Sequence, residues 1–152
     1  MPEGANAVTE LRREHDAMEA MAARVASLEP CPERARLVHE VASRFLTHAR
    51  AEQRFLYPAL RRYLPAGGSD AVEQTRQDDA AEQIALSIDR AGEDSDAYEA
   101  LVNQLMLDIQ RHVATQETVL LPTLLDTCPP EDLNNLGRQL RAGLADEREG
   151  DA

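Results

Sequence analysis

The sequence predicts an all-α fold: an antiparallel up-down-up-down four-helix bundle with a short additional C-terminal helix. Apolar residues recur at steps of three and four through four long segments, which is the spacing of one helix face. Aromatic residues make up only 3% of the chain while Leu, Ala, Glu and Arg dominate, a composition that favours helices over sheets. The connections between the segments are short, so consecutive helices are expected to run antiparallel.

The first two predicted helices are separated by a proline-containing turn at residues 30–32. The first helix covers about residues 6–28, and the second begins at Pro32, where a first-turn proline is tolerated. Pro58 is expected to kink the second helix near its end. The stripe of the first helix contains Val8, Leu11, His15, Met18, Ala22 and Val25, and that of the second contains Leu37, Val41, Phe45, His48, Glu52, Phe55 and Ala59.

The third and fourth helices are each predicted to begin at an Asp-x-x-Glu pattern, which resembles a capping box. Asp70 with Glu73 opens the third helix, and Gly92 ends it. Asp96 with Glu99 opens the fourth helix, which continues to a Cys-Pro-Pro turn. Prolines in that turn cannot continue a helix, so a separate C-terminal helix is expected after it.

The chain is expected to divide into a bundle, residues 6–126, a C-terminal capping helix, residues 130–145, and an acidic tail, residues 146–152. A length of 152 residues suits a single hydrophobic core. The tail is expected to be frayed. One side of the C-terminal helix carries Leu133, Leu136, Leu140 and Leu144, which fits capping of the bundle and self-association equally well.

The acidic composition limits the partners of the protein. The formal net charge is −12 and the pI is near 4.7, which argues against nucleic acid and anionic membranes as partners and favours a cation. No apolar stretch reaches the roughly 18 residues of a membrane span, and no basic region precedes an apolar run, so a cytoplasmic location is expected. Cys31 and Cys128 lie in proline-flanked connections and are expected to be ordinary reduced thiols.

A thirteen-residue pattern occurs twice, with its second copy 64 residues after the first. The first copy begins at His48 and contains Glu52, and the second begins at His112 and contains Glu117. Both copies then run through an apolar stretch into Pro-x-Leu. Each copy thus places a His and a Glu about one helical turn apart within an apolar stripe, which is how helices present ligands to a buried metal.

The histidines of three helices are expected to lie at the same height in the bundle. His15 and His48 are about equally far from the turn at residues 30–32, so they should face each other across the core. A Glu within an apolar stripe is unfavourable unless it is protonated, paired or bound to a metal. Mixed imidazole and carboxylate ligands suit iron, manganese or zinc, and two carboxylates able to bridge suit a pair of ions. The candidate metal ligands are His15, His48, Glu52, His112 and Glu117.

Other interpretations of these residues are a hydrogen-bonded His–Glu network without metal, or simple packing. His39 lies nine residues before His48, half a turn round the helix, so it is expected on the surface. Tyr57 is expected to pack at the end of the bundle and not to act as a ligand or redox group. The accumulation of three histidines and two glutamates on core-facing stripes favours the metal over both alternatives.

These motifs resemble those of the hemerythrin-like (HHE cation-binding) family over about residues 8–125. The resembling features are Glu14-His15-Asp16, the His-x-x-x-Glu that runs into Leu56-Tyr57-Pro58, and the His-x-x-x-x-Glu that runs into Leu121-Pro122. The resemblance implies an antiparallel four-helix bundle holding two iron ions with an oxo or hydroxo bridge. By position, the implied ligands are His15, His48, Glu52, His112 and Glu117.

The third helix departs from the family pattern. The family usually supplies one or two histidines there, four residues apart, and the corresponding positions in this chain are predicted to be Gln77 and Ala81. Glu73, Gln77 and Asp78 lie near the right height to replace them. The alternatives are a water molecule, an exogenous ligand or a missing second ion.

Three functions agree with this sequence. The first is a non-haem di-iron protein that binds iron and reacts with or senses a small oxidant: dioxygen, peroxide or nitric oxide. Loss of imidazole ligands from the third helix would open coordination positions, which favours peroxide consumption, sensing or iron handling over reversible oxygen carriage. The second is iron supply or iron–sulfur cluster repair, and the third is a metal-free helical interaction module that docks a protein partner through its C-terminal leucines.

Overall fold

The computed structural model describes residues 6–150, which are helical almost throughout and contain no strand. The helices are α1 (Ala7–Ser27), α2 (Pro32–Ala51), α3 (Tyr57–Tyr63), α4 (Gly67–Ala91), α5 (Tyr98–Thr115), α6 (Leu121–Thr127) and α7 (Pro130–Gly150). The π-helical turns Glu52–Leu56 and Gln116–Leu120 join α2 to α3 and α5 to α6. The all-α prediction is confirmed, and the up-down-up-down order stays a prediction. Across the described residues, no helix combines the length and the apolar character of a membrane span.

A widened turn lies just before Pro58, where a kink was expected. Tyr57 donates its backbone N–H to the Glu52 carbonyl, five residues back, and Leu121 donates to Gln116 in the same way. Proline lacks an N–H and clashes with the carbonyl four residues back, and a local π-helical turn relieves both problems without ending the helix. The two copies of the sequence repeat therefore share a backbone distortion as well as a motif.

The third long helix begins earlier than predicted. α4 starts at Gly67 and not at Asp70, and its N-terminus has no side-chain cap. Glu73 accepts hydrogen bonds from Arg76 instead of capping the helix. The early start follows from packing, because a Cβ at Gly67 would lie only 1.7 Å from the Leu60 carbonyl oxygen, so only glycine allows this approach of α4 to α3.

The capping pair predicted for the fourth long helix is also wrong. α5 begins at Tyr98, after Asp96, and Glu99 is engaged by a neighbouring helix. Arg34 donates from both terminal nitrogens to the two Glu99 oxygens, at 2.8 and 3.0 Å, and from Nε to the Val25 carbonyl at 3.2 Å. This nearly buried guanidinium ties the end of α1 and the start of α2 to the start of α5.

The apolar core consists of two clusters with a polar layer between them. On α1 the polar layer lies between Leu11, in one cluster, and Met18, in the other. On the second long helix it lies between Phe45 and Leu56, which belong to opposite clusters in the same way. Packing in the two clusters sets the relative positions of the helices along the bundle axis. The histidine motifs meet in the polar layer between the clusters.

The C-terminal helix is longer than predicted. α7 continues through residues 146–150, which were expected to be frayed, and residues 151–152 lie outside the described residues. Arg148 in its last turn donates to the nearly buried Glu14 carboxylate of α1, at 3.2 and 3.3 Å. Its four leucines are buried. Leu133, Leu136 and Leu140 belong to an apolar core cluster that also contains residues of the bundle, and Leu144 is buried as well. α7 therefore caps its own bundle.

Removing one of these leucines should test whether α7 belongs to the core. Leu140→Ala deletes a fully buried side chain and is expected to lower the free energy of unfolding by about 2–5 kcal/mol. Leu125→Ala is the matched control, because Leu125 is 46% exposed and its truncation should have little effect. Denaturant unfolding followed by circular dichroism measures both. Equal stabilities would show that α7 does not pack on the bundle in solution.

Candidate metal centre

Four side chains from three long helices meet in the polar layer. The ligand atoms of His15, His48, Glu52 and His112 all lie within 4.8 Å of one another, and all four side chains are buried. Glu52 Oε1 is 3.1 Å from His48 Nε2 and 2.9 Å from His112 Nε2. The two Nε2 atoms are 3.4 Å apart. One carboxylate oxygen and the imidazole nitrogens thus point at a common centre.

The three imidazole rings surround that centre without stacking. The His15 ring centroid is 5.1 Å from that of His48 and 5.9 Å from that of His112, with interplanar angles of 57° and 88°. The rings of His48 and His112 are 5.4 Å apart and inclined at 82°. The rings are tilted or perpendicular to one another, and their ligand nitrogens lie within 4.8 Å of one another in the shared space.

Several of these atoms lack the partners that buried polar atoms require. Within residues 6–150, His15 Nε2 and both Glu52 oxygens are buried without a hydrogen bond. Glu52 Oε1 therefore lies within hydrogen-bond distance of the two imidazoles, but the angles of these contacts are not those of hydrogen bonds. Buried polar groups without partners are rare and call for a bound species. A metal cation fits, because it would accept lone pairs from all of them at once.

The charge states of the metal-free protein follow from this crowding. Burial, together with nearby His48, lowers the pKa of His15 to about 4, so this ring is neutral at physiological pH. Burial also opposes charge on His112, but the carboxylates of Glu52 and Asp78 outweigh it and raise its pKa to about 10. Burial would raise the pKa of Glu52, yet the imidazoles of His48 and His112 hold it well below its usual range. A proton on His112 therefore balances the Glu52 carboxylate.

Two further carboxylates lie beside the outer ring nitrogens, and one of them is hydrogen-bonded. His15 Nδ1 is 2.8 Å from Glu117 Oε1, and His112 Nδ1 is 3.5 Å from Asp78 Oδ1. Carboxylates at Nδ1 leave Nε2 free to bind an ion and fix the orientation of the ring. Glu117 is 27% exposed on its side chain and also accepts from Arg12 at 3.2 Å. The structure thus places Glu117 against His15, outside the group of four, and its direct ligation stays a prediction.

The buried face of the third long helix differs from the predicted one. Gln77 lies at the surface side of α4 and donates to Glu73, so it does not occupy a vacant imidazole position. Gln74 and Asp78, also four residues apart, are the buried polar pair. Asp78 Oδ2 accepts from the Tyr57 hydroxyl at 2.5 Å. The spacing of the buried α4 residues could have revealed this face: Gly67, Ala71, Gln74, Asp78, Ala81, Ala85 and Ile88.

Gln116 is a buried polar residue that sequence reasoning placed on the core-facing stripe of the fourth long helix but to which it gave no role at the site. It lies four residues after His112, as Glu52 lies four residues after His48, so it is the true counterpart of Glu52 in the repeat. Its side chain is fully buried and donates to Gln74 Oε1 at 3.3 Å, and its own oxygen has no hydrogen bond within the described residues. The repeat could have indicated a role for Gln116, because the fifth position of each copy holds a side chain of similar shape.

His39, Tyr57 and the two cysteines lie outside the group of four candidate ligands. The side chain of His39 is 66% exposed. Tyr57 is buried, as expected for a packing residue, but it also bonds to Asp78; burial and the charges of Glu52 and Asp78 raise its pKa. Cys31 and Cys128 are both free thiols.

The comparisons with known proteins assign the family. The chain matches the Hemerythrin HHE cation binding domain over residues 6–124. Because this match spans more than half of the chain, the protein belongs to the hemerythrin HHE cation-binding family. No curated protein matches the sequence.

A solved structure shares the fold. It is the crystal structure of a Hemerythrin HHE cation binding domain-containing protein from Mycobacterium kansasii, with a TM-score of 0.81 and 19% sequence identity. The match covers 95% of this chain and 88% of that one. This likeness supports the helical bundle and is independent of the motifs discussed above.

Replacing either central histidine should remove the metal. His48→Ala and His112→Ala each delete a buried nitrogen ligand, and a bound ion adds about 3 kcal/mol to the free energy of unfolding at roughly 100 times its Kd. Both variants should therefore show low metal content and lose the stabilisation that added metal gives the unmodified protein. His39→Ala is the control and should retain both. Metal content by elemental analysis and thermal unfolding with and without metal decide the outcome; equal metal in all three variants would contradict the assignment.

Metal binding should weaken as the pH falls. The pKa of His112 is raised to about 10, so its ring carries a proton at neutral pH that an ion bound at Nε2 must displace. Loss of at least one proton per binding event lowers the affinity by about tenfold for each unit of decreasing pH. Titrations in buffers of different ionisation enthalpy count the released protons. A binding constant that does not change between about pH 6 and pH 8 would argue against ligation by His112.

Proposed function

We propose that this protein is a non-haem iron protein that binds two iron ions and reacts with or senses a small oxidant: dioxygen, peroxide or nitric oxide. The observation that carries the proposal is the buried group of three imidazoles and one carboxylate, His15, His48, His112 and Glu52, whose ligand atoms lie within 4.8 Å of one another. Family membership independently supports cation binding.

The ligand chemistry favours a divalent first-row metal. Imidazole with carboxylate suits iron, manganese or zinc, whereas magnesium and calcium prefer oxygen ligands alone. The group of four supplies one ion with three nitrogens and one oxygen. A second ion would need additional carboxylates, and Asp78 and Glu117, each adjacent to one of these histidines, are the candidates that could supply them.

The residues of the chain have defined tasks in this function. Iron, when bound, supplies a redox-active Lewis acid at the centre. The apolar clusters on both sides exclude water from the polar layer. Glu117 and Asp78 orient the rings of His15 and His112, and the Tyr57 hydroxyl holds its proton toward Asp78 Oδ2.

Weak donors near the centre favour a small exogenous ligand. Gln74 and Gln116 are buried and neutral, and the described part of α4 carries no histidine. Amide side chains bind a metal less strongly than imidazoles, so coordination positions remain for a small molecule. We therefore propose reaction with peroxide or sensing over reversible oxygen carriage, in a protein expected to be cytoplasmic.

The alternative of a metal-free interaction module receives less support from α7. Its four leucines, which would have to contact a protein partner, are buried against the protein's own bundle. Buried side chains provide no docking surface unless the helix detaches. Iron supply or iron–sulfur cluster repair remains a second use of the same metal centre.

The decisive experiment measures iron content together with small-ligand reactivity. Protein loaded with iron is expected to contain close to two irons per chain and to absorb in the near ultraviolet. Added azide should produce a charge-transfer band, and added peroxide should be consumed; His112→Ala should lose both properties and His39→Ala should keep them. Fully loaded protein that shows neither azide binding nor peroxide consumption would overturn the proposed reactivity, and one iron per chain would overturn the two-iron centre.

A further inference from the structure

The metal centre is closed to solvent, so an ion needs a route to it. Each residue of the group of four is at most 1% exposed. Such a site fills only if the protein opens locally or if a cleft leads close to the ligands.

One cleft, between α4 and α5, reaches the centre. Its volume is about 280 Å³. Buried residues form its inner end, namely Phe45, Asp78 and His112, and residues nearer the surface form its rim, namely Glu73, Arg76, Gln77, Ala80, Asp108 and Arg111. The cleft thus joins the surface to one of the four site residues and to the carboxylate that contacts it.

The rim of the cleft is charged and able to move. Arg76 donates to both oxygens of Glu73, and Gln77 donates to the same carboxylate at 3.1 Å. The side chains of Glu73 and Arg76 are 50% and 70% exposed, so their ion pair contributes little stability and breaks easily. This network can open without disturbing the buried core.

At the inner end, Asp78 offers an oxygen to an arriving cation. Its Oδ1 atom is buried and has no hydrogen bond within the described part of the chain, while Oδ2 is engaged by Tyr57 and Gln53. The 3.5 Å contact of Oδ1 with His112 Nδ1 links this oxygen to the centre. A carboxylate at the base of a cleft, in a chain of net charge −12, attracts cations.

We propose that the cleft between α4 and α5 is the route by which a divalent cation reaches the buried centre, with Asp78 as the group that receives it at the inner end. This inference rests on the proposed function in assuming that the group of four binds metal. It adds the direction of loading and the side chains that control its rate.

A second groove provides a matched control. It lies between α1 and α5, has a volume of about 570 Å³ and is lined by Ala23 and Leu107 among others, but by none of the four site residues. Ala23 in this groove and Ala80 in the cleft are both exposed alanines on helices. A large side chain can therefore be placed at either position with a similar effect on the fold.

The test compares loading rates of the full-length chain. Metal-free protein is mixed rapidly with Co²⁺, whose visible absorption reports binding, in Ala80→Trp, Ala23→Trp and the unmodified protein. Ala80→Trp is expected to slow association by about tenfold or more, with unchanged stoichiometry, because the ion must wait for a rarer opening. Ala23→Trp should bind at the unmodified rate. Gln77→Trp is a second blocking variant if Ala80→Trp does not fold as judged by circular dichroism.

A variant that removes a charge from the rim provides an independent test of the route. Asp108→Asn removes a carboxylate from the rim without adding bulk and should slow association several-fold at low salt, with a smaller effect at high salt. Loading at the same rate in the folded blocking variants as in the unmodified protein, or equal slowing in Ala23→Trp, would overturn the route. Absence of Co²⁺ binding in every protein, including the unmodified one, would instead overturn the metal centre itself.

Discussion

The buried carboxylate of Glu52 is the constraint on which the rest of the site depends. An ionised carboxylate removed from water requires a positive partner, and the partners that lie closest to Glu52 Oε1 are imidazoles. Two imidazoles lie within 3.1 Å of one of its oxygens, and a third completes the group. The site must therefore hold either a proton on an imidazole or a metal ion, and the two compete for the same nitrogens.

The long helices and the central ligands could be predicted from the sequence because their signals are periodic. A step of three to four residues places His15, His48 and Glu52 on core-facing stripes wherever the helices begin. The start of α4 could not be predicted in this way. It depends on the approach of Gly67 to the carbonyl of Leu60, a tertiary contact that overrides the local capping pattern at Asp70. Where a helix begins does not change which of its residues share a face, so the burial of Gln74 and Asp78 in place of Gln77 reflects how α4 packs on its neighbours.

The position of Glu117 shows a second limit of sequence reasoning. Residues four and five places after His112 both lie about one turn away, so spacing alone does not separate Gln116 from Glu117. Packing separates them, because Gln116 is buried against Gln74 while Glu117 reaches His15 from the edge of the bundle. The contact of Arg148 with Glu14, beside His15, was equally invisible, since 134 residues separate the two partners.

The first copy of the repeat has Glu52 where the second has Gln116, and this difference makes the charge distribution around the centre asymmetric. The copies share their histidine, their π-helical turn and their following proline, and would be nearly equivalent halves if Gln116 carried a charge. At this position of the repeat the α2 copy presents an anion and the α5 copy presents a neutral amide, while the Glu117 carboxylate of the α5 copy lies at the edge, against His15. An ion bound in this layer would experience an electric field directed across the bundle, so a position near the α2 copy and a position near the α5 copy would differ in their affinity for a cation.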